Sequence, residues 1–172
     1  GRRATVAEAN ATTSFTYDAL DRLLRIEQPS SFYDYELSYR ATERQREKER
    51  GLTSTGSEVY THTFTYDEMG RTARQRLHFP GKDLLLDFRY DELGRTAAIA
   101  YPDTETVVRY EYTGAFLERV CEVTTLASLC PSTSDPNAIF YVKNVVYDEL
   151  GRRASVESKA GTRTFSYLPT SQ

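Results

Sequence analysis

Apolar and polar residues alternate along most of the chain, with aromatic residues at regular places in the pattern. Phe64 and Tyr66, like Phe88 and Tyr90, are separated by a single residue at the ends of such runs. An alternation of period two is typical of a strand that buries one face. These runs therefore predict half-buried β-strands whose Phe and Tyr side chains share a face.

A recurring hexapeptide completes these runs. Tyr-Asp-Glu-Leu-Gly-Arg occupies positions 90–95 and 147–152, and close copies occupy 17–22 and 66–71. Its Asp can accept hydrogen bonds from backbone donors two residues on, and its Gly tolerates positive φ. Each copy therefore predicts a β-hairpin with a type I turn, a left-handed residue and a β-bulge. The predicted structural turn residues are Tyr17, Asp18, Tyr66, Asp67, Gly70, Arg71, Tyr90, Asp91, Gly94, Arg95, Tyr147, Asp148, Gly151 and Arg152.

Weaker copies of the hexapeptide fill the gaps between the good ones. Tyrosines in the same register lie at 17, 39, 66, 90, 112, 147 and 167, between 20 and 35 residues apart, a period typical of a repeat array. In the first copy Asp21 takes the left-handed position, which Asp tolerates. In the Tyr112 copy we place Phe116 at the glycine position, with Gly114 moved forward, and expect a different turn. The register aromatics are expected to stack as a ladder across strands.

The strands predicted in this way number about fourteen and leave no convincing helix. They include residues 4–7, 11–17, 22–28, 32–39, a polar return strand within 40–50, 59–66, 71–79, 84–90, 95–101, 106–112, 140–147, 152–158 and 163–167. An open sheet of this size rarely stays flat. The fold class is therefore predicted as all-β, with repeated antiparallel hairpins in a long curved sheet.

One loop insertion, residues 124–138, interrupts an otherwise continuous repeat segment spanning 1–172. Because the chain begins and ends inside a repeat, we expect it to be a segment of a longer protein. The mixed-charge run at 40–50 favours a solvated strand over a binding patch, because the signs of its charges alternate.

Composition narrows the function classes. The net charge is −3 with acids and bases interleaved, which argues against a nucleic-acid surface, since such surfaces cluster Lys and Arg. Mean hydropathy is −0.59, and no apolar run approaches the roughly 18 residues needed to cross a bilayer. We therefore predict neither nucleic-acid binding nor a membrane span in this segment.

Candidate chemistry is sparse. His62 and His78 lie on different predicted strands without metal-site spacing to the cysteines, and the turn acids lack the spacing of a calcium loop. No catalytic residue, metal or cofactor is therefore predicted. Cys121 precedes the insertion and Cys130 lies within it; they either form a disulfide that closes this loop or remain two free thiols.

The hexapeptides at 66–71, 90–95 and 147–152 resemble the YD repeats of the Rhs family, and the pattern covers essentially the whole chain. That family includes polymorphic bacterial toxins, the BC cocoon of insecticidal Tc toxin complexes, wall-associated bacterial proteins and animal teneurins. The resemblance implies a sheet that spirals into a hollow shell, which in the toxins encloses a C-terminal toxic domain. The family's self-cleaving Asp-Pro-x-Gly segment has no match, because Asn137 follows Asp135 and Pro136. No catalytic residue therefore carries over.

Two functions stay open on this resemblance. The first is a structural module of a secreted shell that encloses and protects a toxin or other cargo. Its partners would be the remaining YD repeats of the same protein and an enclosed C-terminal toxin domain. The second is a cell-surface adhesion module that binds glycans or another protein. Both imply a secreted or cell-surface location, and neither is enzymatic.

Overall fold

The computed structural model describes residues 2, 4–8, 11–29, 34–40, 45–102 and 106–168, and every regular element among them is a β-strand. The predicted all-β class is therefore confirmed. Within these residues there is no helix with the length and apolar character that crossing a bilayer requires. The chain divides into two compact units, Gly1–Leu86 and Asp87–Gln172.

The first unit is an antiparallel meander. Its strands are β1 (Thr5–Glu8), β2 (Ala11–Tyr17), β3 (Leu23–Glu27), β4 (Asp34–Tyr39), β5 (Arg46–Leu52), β6 (Glu58–Tyr66), β7 (Thr72–Phe79) and the first part of β8 (Lys82–Tyr90). They are hydrogen-bonded in sequence order, as expected for hairpins added one after another. The predicted return strand within 40–50 is β5, whereas residues 30–33 and 41–44 lie outside the described residues.

The second unit continues the same order from the end of β8 and adds a smaller sheet. Its remaining strands are β9 (Thr96–Ala100), β10 (Val107–Thr113), β11 (Phe116–Val123), β12 (Phe140–Val142), β13 (Asn144–Tyr147), β14 (Arg153–Ser158) and β15 (Gly161–Thr164). The strands β13, β14 and β15 form the separate three-stranded sheet. Residues 103–105, in the predicted Pro102 turn, lie outside the described residues.

The two faces of the first unit differ in chemistry. One register line across β2 to β6 consists of Phe15, Ile26, Tyr35, Gly51 and Tyr60. Gly51 is needed there because a Cβ on it would lie 2.4 Å from Cε1 of the Tyr60 ring. The aromatic side chain therefore lies directly against the backbone of β5.

The opposite face of the first unit carries ion pairs. Arg25 lies between Glu27, Asp34 and Glu36, at N–O distances of 3.2 to 3.5 Å, and Arg50 contacts Glu36 in turn. Adjacent residues of a strand point to opposite faces, so aromatic and charged side chains separate as the alternation predicts.

The most buried residues of the second unit are small. Ala98 and Cys121 are both 0% exposed and lie on one register line through Arg109. The segment 124–139, which has no strand, is fixed near this line by a Cys121–Cys130 disulfide and by the Cys130 N–H, which donates to Glu111 Oε1 at 2.8 Å. The described insertion is therefore anchored to the sheet.

The single strand predicted at 140–147 is wrong. The chain changes partner at Lys143: β12 pairs with β11, whereas β13 pairs with β14. The Lys143 N–H donates to the carbonyl of Glu157 at 2.8 Å, so the break keeps its backbone hydrogen-bonded. This division raises the strand count from the expected fourteen or so to fifteen among the described residues.

The predicted last strand, 163–167, is displaced toward the N-terminus. The turn consists of Lys159 and Ala160 only, so β15 begins at Gly161 and ends at Thr164. Phe165 still donates its N–H to the carbonyl of Ala154 at 2.9 Å.

Candidate functional site

The repeated turn is built around one carboxylate. In the third good copy, Asp91 Oδ1 accepts hydrogen bonds from the N–H groups of Leu93 and Arg95 at 3.0 and 2.9 Å, and its Oδ2 accepts one from Arg95 Nε at 2.7 Å. The Gly94 N–H donates to the Asp91 carbonyl at 3.0 Å. The Asp therefore closes the turn and holds the arginine side chain in one orientation.

The other three good copies repeat this arrangement. The corresponding Asp–Arg pairs are Asp18–Arg22 at 2.6 Å, Asp67–Arg71 at 2.7 Å and Asp148–Arg152 at 2.7 Å. Gly70, Gly94 and Gly151 have φ of 76°, 80° and 72°, and Asp21 has φ of 66°. The left-handed residue expected at this position is thus present in all four turns. Each also has a β-bulge beside its tyrosine, at Thr16/Tyr17, Thr65/Tyr66, Arg89/Tyr90 and Val146/Tyr147.

The turn carboxyls are stabilised in the ionised form. Burial acts to raise the pKa of Asp18, Asp67 and Asp91, but hydrogen bonds from the turn arginine outweigh it and the pKa falls below its ordinary value of 3.8. At Asp148 the N–H of Arg152 is the strongest influence, and the pKa is again lowered. Each turn therefore keeps a charged Asp–Arg pair at neutral pH.

The arginine of one turn also contacts the tyrosine of the next hairpin. Its guanidinium carbon lies over the ring of the following register tyrosine, a cation–π arrangement. The centroid distances are 5.5 Å for Arg2 and Tyr17, 4.8 Å for Arg22 and Tyr39, 4.1 Å for Arg95 and Tyr112, and 4.3 Å for Arg152 and Tyr167. We call this contact the inter-repeat clamp.

A hydroxyl hydrogen bond completes the clamp. The Tyr112 hydroxyl donates to the carbonyl of Thr96, the residue after Arg95, at 2.9 Å. Tyr167 does the same to the carbonyl of Arg153, which follows Arg152, at 2.8 Å. Each tyrosine is thus fixed at its ring and at its hydroxyl by the preceding turn.

A weaker copy keeps the hydroxyl hydrogen bond to the preceding hairpin but replaces the arginine with another side chain. The Tyr66 hydroxyl donates to the carbonyl of Arg46 at 2.6 Å, and the preceding Gln45 donates through Nε2 to the carbonyl of Gly70 at 2.6 Å. Gln45 therefore takes the place of the clamp arginine in the Tyr39 copy.

Phe116 does not occupy the glycine position that the sequence suggested. The Tyr112 copy has a short turn at Gly114 and Ala115, and Tyr112 pairs with Leu117, which places Phe116 where the other copies have the arginine. Its ring centroid lies 4.6 Å from that of Tyr147, whose hydroxyl donates to the Leu117 carbonyl at 2.8 Å. The expectation of a different turn geometry is confirmed, with Gly114 at φ 57°.

The expected ladder of register aromatics is replaced by these clamps. The ring pairs in the described residues are Tyr60–Phe79, His62–Phe64 and Phe116–Tyr147, and none joins two register tyrosines. The sequence carried a signal for the arginine, which stands five positions after the tyrosine in each good copy. Its partner could not be read from that spacing, because the contact crosses from one hairpin to the next.

The remaining candidate residues lie apart from the turns. His62 Nε2 lies 3.2 Å from Gln75 Oε1, and His78 Nδ1 lies 2.7 Å from Asp83 Oδ1. The Cα atoms of Cys121 and Cys130 are 5.7 Å apart, within disulfide range. No group of three or more metal-ligating side chains occurs in the part of the chain that the structure describes.

No protein-family model and no curated protein matches this sequence. Among solved structures, that of TcdB2-TccC3 has a TM-score of 0.56 and 12% identity, covering 100% of this chain and 10% of that one. TcdB2-TccC3 without its hypervariable C-terminal region has a TM-score of 0.52 and 10% identity, covering 92% and 10%. The chain spans about a tenth of the length of the chains that it matches. It therefore has the fold of a stretch of the Tc toxin protein TcdB2-TccC3, in agreement with the resemblance of its turns to YD repeats.

Proposed function

We propose that this chain is a wall segment of an exported YD-repeat shell that encloses and protects a toxin or other cargo. The inter-repeat clamp is the observation that carries the proposal. Arg95 reaches forward to Tyr112, and Arg152 to Tyr167, so these contacts bind a hairpin to the one before it. Such an array is built for extension by further hairpins, and the fold shared with TcdB2-TccC3 supports the same role.

If this proposal holds, the chain pairs first with the remaining repeats of the same protein. In the smaller sheet β15 pairs with β14 on one side, and its four residues are all exposed. An exposed edge strand offers unpaired backbone groups to a further strand. A following hairpin would extend this sheet, and the enclosed C-terminal toxin domain would be a second partner within the same shell.

Opposite faces of β2 provide a test that separates a shell from an adhesion module. Thr12 and Thr13 are neighbours in β2 and so point to opposite faces of the sheet. Cys121 and Cys130 are joined in a disulfide, so Thr12→Cys or Thr13→Cys would add the one reactive thiol of this chain. Each variant of the full-length protein would be treated with a small maleimide and with a maleimide carrying a polyethylene glycol chain of about 5 kDa.

In a closed shell, the small maleimide can reach both faces of the wall, whereas the polyethylene glycol reagent can reach only the outer face. We expect both thiols to react with the small maleimide, and one of the two to resist the polyethylene glycol reagent until the protein is denatured. Equal reaction of both positions with the large reagent would overturn the shell proposal. That result would favour the cell-surface module that binds glycans or proteins, which needs no enclosed face.

A further inference from the structure

A polar cavity of about 340 Å³ lies on the first unit, away from the turns. Its lining consists of Lys48, Glu58, Thr61, Thr63, Arg76 and His78. Two register lines across β5, β6 and β7 bring these side chains together: Lys48 pairs with Thr63 and Thr63 with Arg76, while Thr61 pairs with His78. Paired residues share a face of the sheet, so Lys48 and Arg76 flank Thr63 directly, and Thr61 lies on the same face two residues before Thr63 in β6.

Thr61 is the unusual member of this set. It is only 7% exposed, and its Oγ1 is buried without a hydrogen-bond partner among the described residues. Most buried hydroxyls are hydrogen-bonded, since an unpaired one loses its interaction with water and gains nothing in return. A bound group that accepts a hydrogen bond from Thr61 would remove this penalty.

The charges around Thr61 favour an anion. Lys48 has no carboxylate partner in the part of the chain that the structure describes. Arg76 Nη2 forms an ion pair with Asp83 Oδ2 at 2.7 Å. Glu58 Oε2 lies 4.0 Å from Arg50 Nη1. Arg76 and Glu58 thus each have a partner of opposite charge, which leaves Lys48 as the uncompensated charge of the lining.

We propose that this cavity binds an oxyanion, either sulfate or phosphate or the same group carried on a sugar. Thr61 donates its hydroxyl hydrogen to one oxygen, and the Lys48 ammonium and the exposed side of the Arg76 guanidinium neutralise the charge. A tetrahedral oxyanion presents several acceptor oxygens, which suits donors converging from three adjacent strands. This proposal does not rest on the shell proposal, because it is argued only from the chemistry of the residues that line the cavity.

Equilibrium dialysis of the full-length protein with radiolabelled sulfate, and separately phosphate, would test the site at constant ionic strength. Lys48→Gln removes the uncompensated charge, and Thr61→Val replaces the hydroxyl with a methyl group of similar size. Lys159→Gln is the matched control. Lys159 lies in the exposed turn before β15, and this substitution removes the same charge as Lys48→Gln. A heparin-derived disaccharide and its unsulfated form, added as competitors, distinguish a sugar-borne sulfate from the free ion.

We expect one site per chain whose Kd rises at least about fivefold in Lys48→Gln and in Thr61→Val, and is unchanged in Lys159→Gln. Competition by the sulfated disaccharide alone would assign a sulfated sugar, and its failure would assign the free ion. Absence of a saturable site, or equal losses in Lys48→Gln and Lys159→Gln, would overturn the proposal. If Thr61→Val fails to fold, Lys48→Gln against Lys159→Gln still decides it.

Discussion

The Arg95 guanidinium carbon lies 4.1 Å from the centroid of the Tyr112 ring, and the same arginine donates through Nε to Asp91 at 2.7 Å. One side chain therefore closes its own turn and binds the next hairpin. The sequence places the arginine at a fixed distance from its own tyrosine, whereas the structure shows that it serves the following one.

The clamp predicts a loss of stability that depends on position. Arg95→Gln removes the charge over Tyr112 and the ion pair with Asp91, and we expect unfolding free energy to fall by about 1–2 kcal/mol. Arg163→Gln in the exposed strand β15 is the control and should change it by less than about 0.5 kcal/mol. Urea denaturation of the chain provides the comparison. Equal effects of the two substitutions would show that the clamp does not stabilise the array.

The left-handed turn position predicts opposite responses to two substitutions. Gly94 has φ of 80°, so Gly94→Val forces a β-branched residue into that region and should cost more than about 1 kcal/mol. Asp21→Gly relaxes a residue at φ 66° and loses only an exposed ion pair with Arg2, so it should be neutral or stabilising. Melting temperatures that fall equally in both variants would contradict this assignment.

The lowered pKa of Asp91 predicts how acid affects the fold. Because the folded pKa lies below the ordinary 3.8, ionised Asp91 stabilises the fold above that value, and this stabilisation is lost as pH falls through the folded pKa. We expect Asp91→Asn to flatten the decline of stability below about pH 4, measured by denaturant unfolding at several pH values. Glu92→Gln, a neighbouring exposed residue, should leave the wild-type profile unchanged. A decline as steep in Asp91→Asn as in the wild type would exclude this carboxyl as the cause.

The disulfide predicts a local effect of reduction. Cys121 and Cys130 close a short loop, and opening it should destabilise the chain by about 2–3 kcal/mol on a chain-entropy estimate. We expect reduction to speed amide hydrogen exchange in 124–139 while β9 and β10 stay protected. The Cys121→Ser, Cys130→Ser double variant should behave like the reduced protein with and without reductant. Free alkylation of both thiols in the untreated protein would exclude the bridge.

Most strands could be predicted because the sequence features that specify them lie within a few residues of one another. A half-buried strand such as β6 requires alternation, and a turn such as 90–95 requires an Asp and a residue with positive φ, which the sequence shows directly. The break at Lys143 was hidden because no Gly or Pro marks it in the sequence. The position of Phe116 was not predicted because it depends on a shorter turn. The clamp was not predicted because it joins residues of different hairpins.

Four register tyrosines donate their hydroxyls to main-chain oxygens: Tyr66, Tyr112, Tyr147 and Tyr167 each use the carbonyl of a preceding hairpin. A carbonyl acceptor survives any substitution at its residue. Gln45 or Phe116 can accordingly replace the arginine while the tyrosine keeps its hydrogen bond to the carbonyl. Substitutions in such an array can therefore remove the recognisable hexapeptide while the hydrogen bond between neighbouring hairpins is kept.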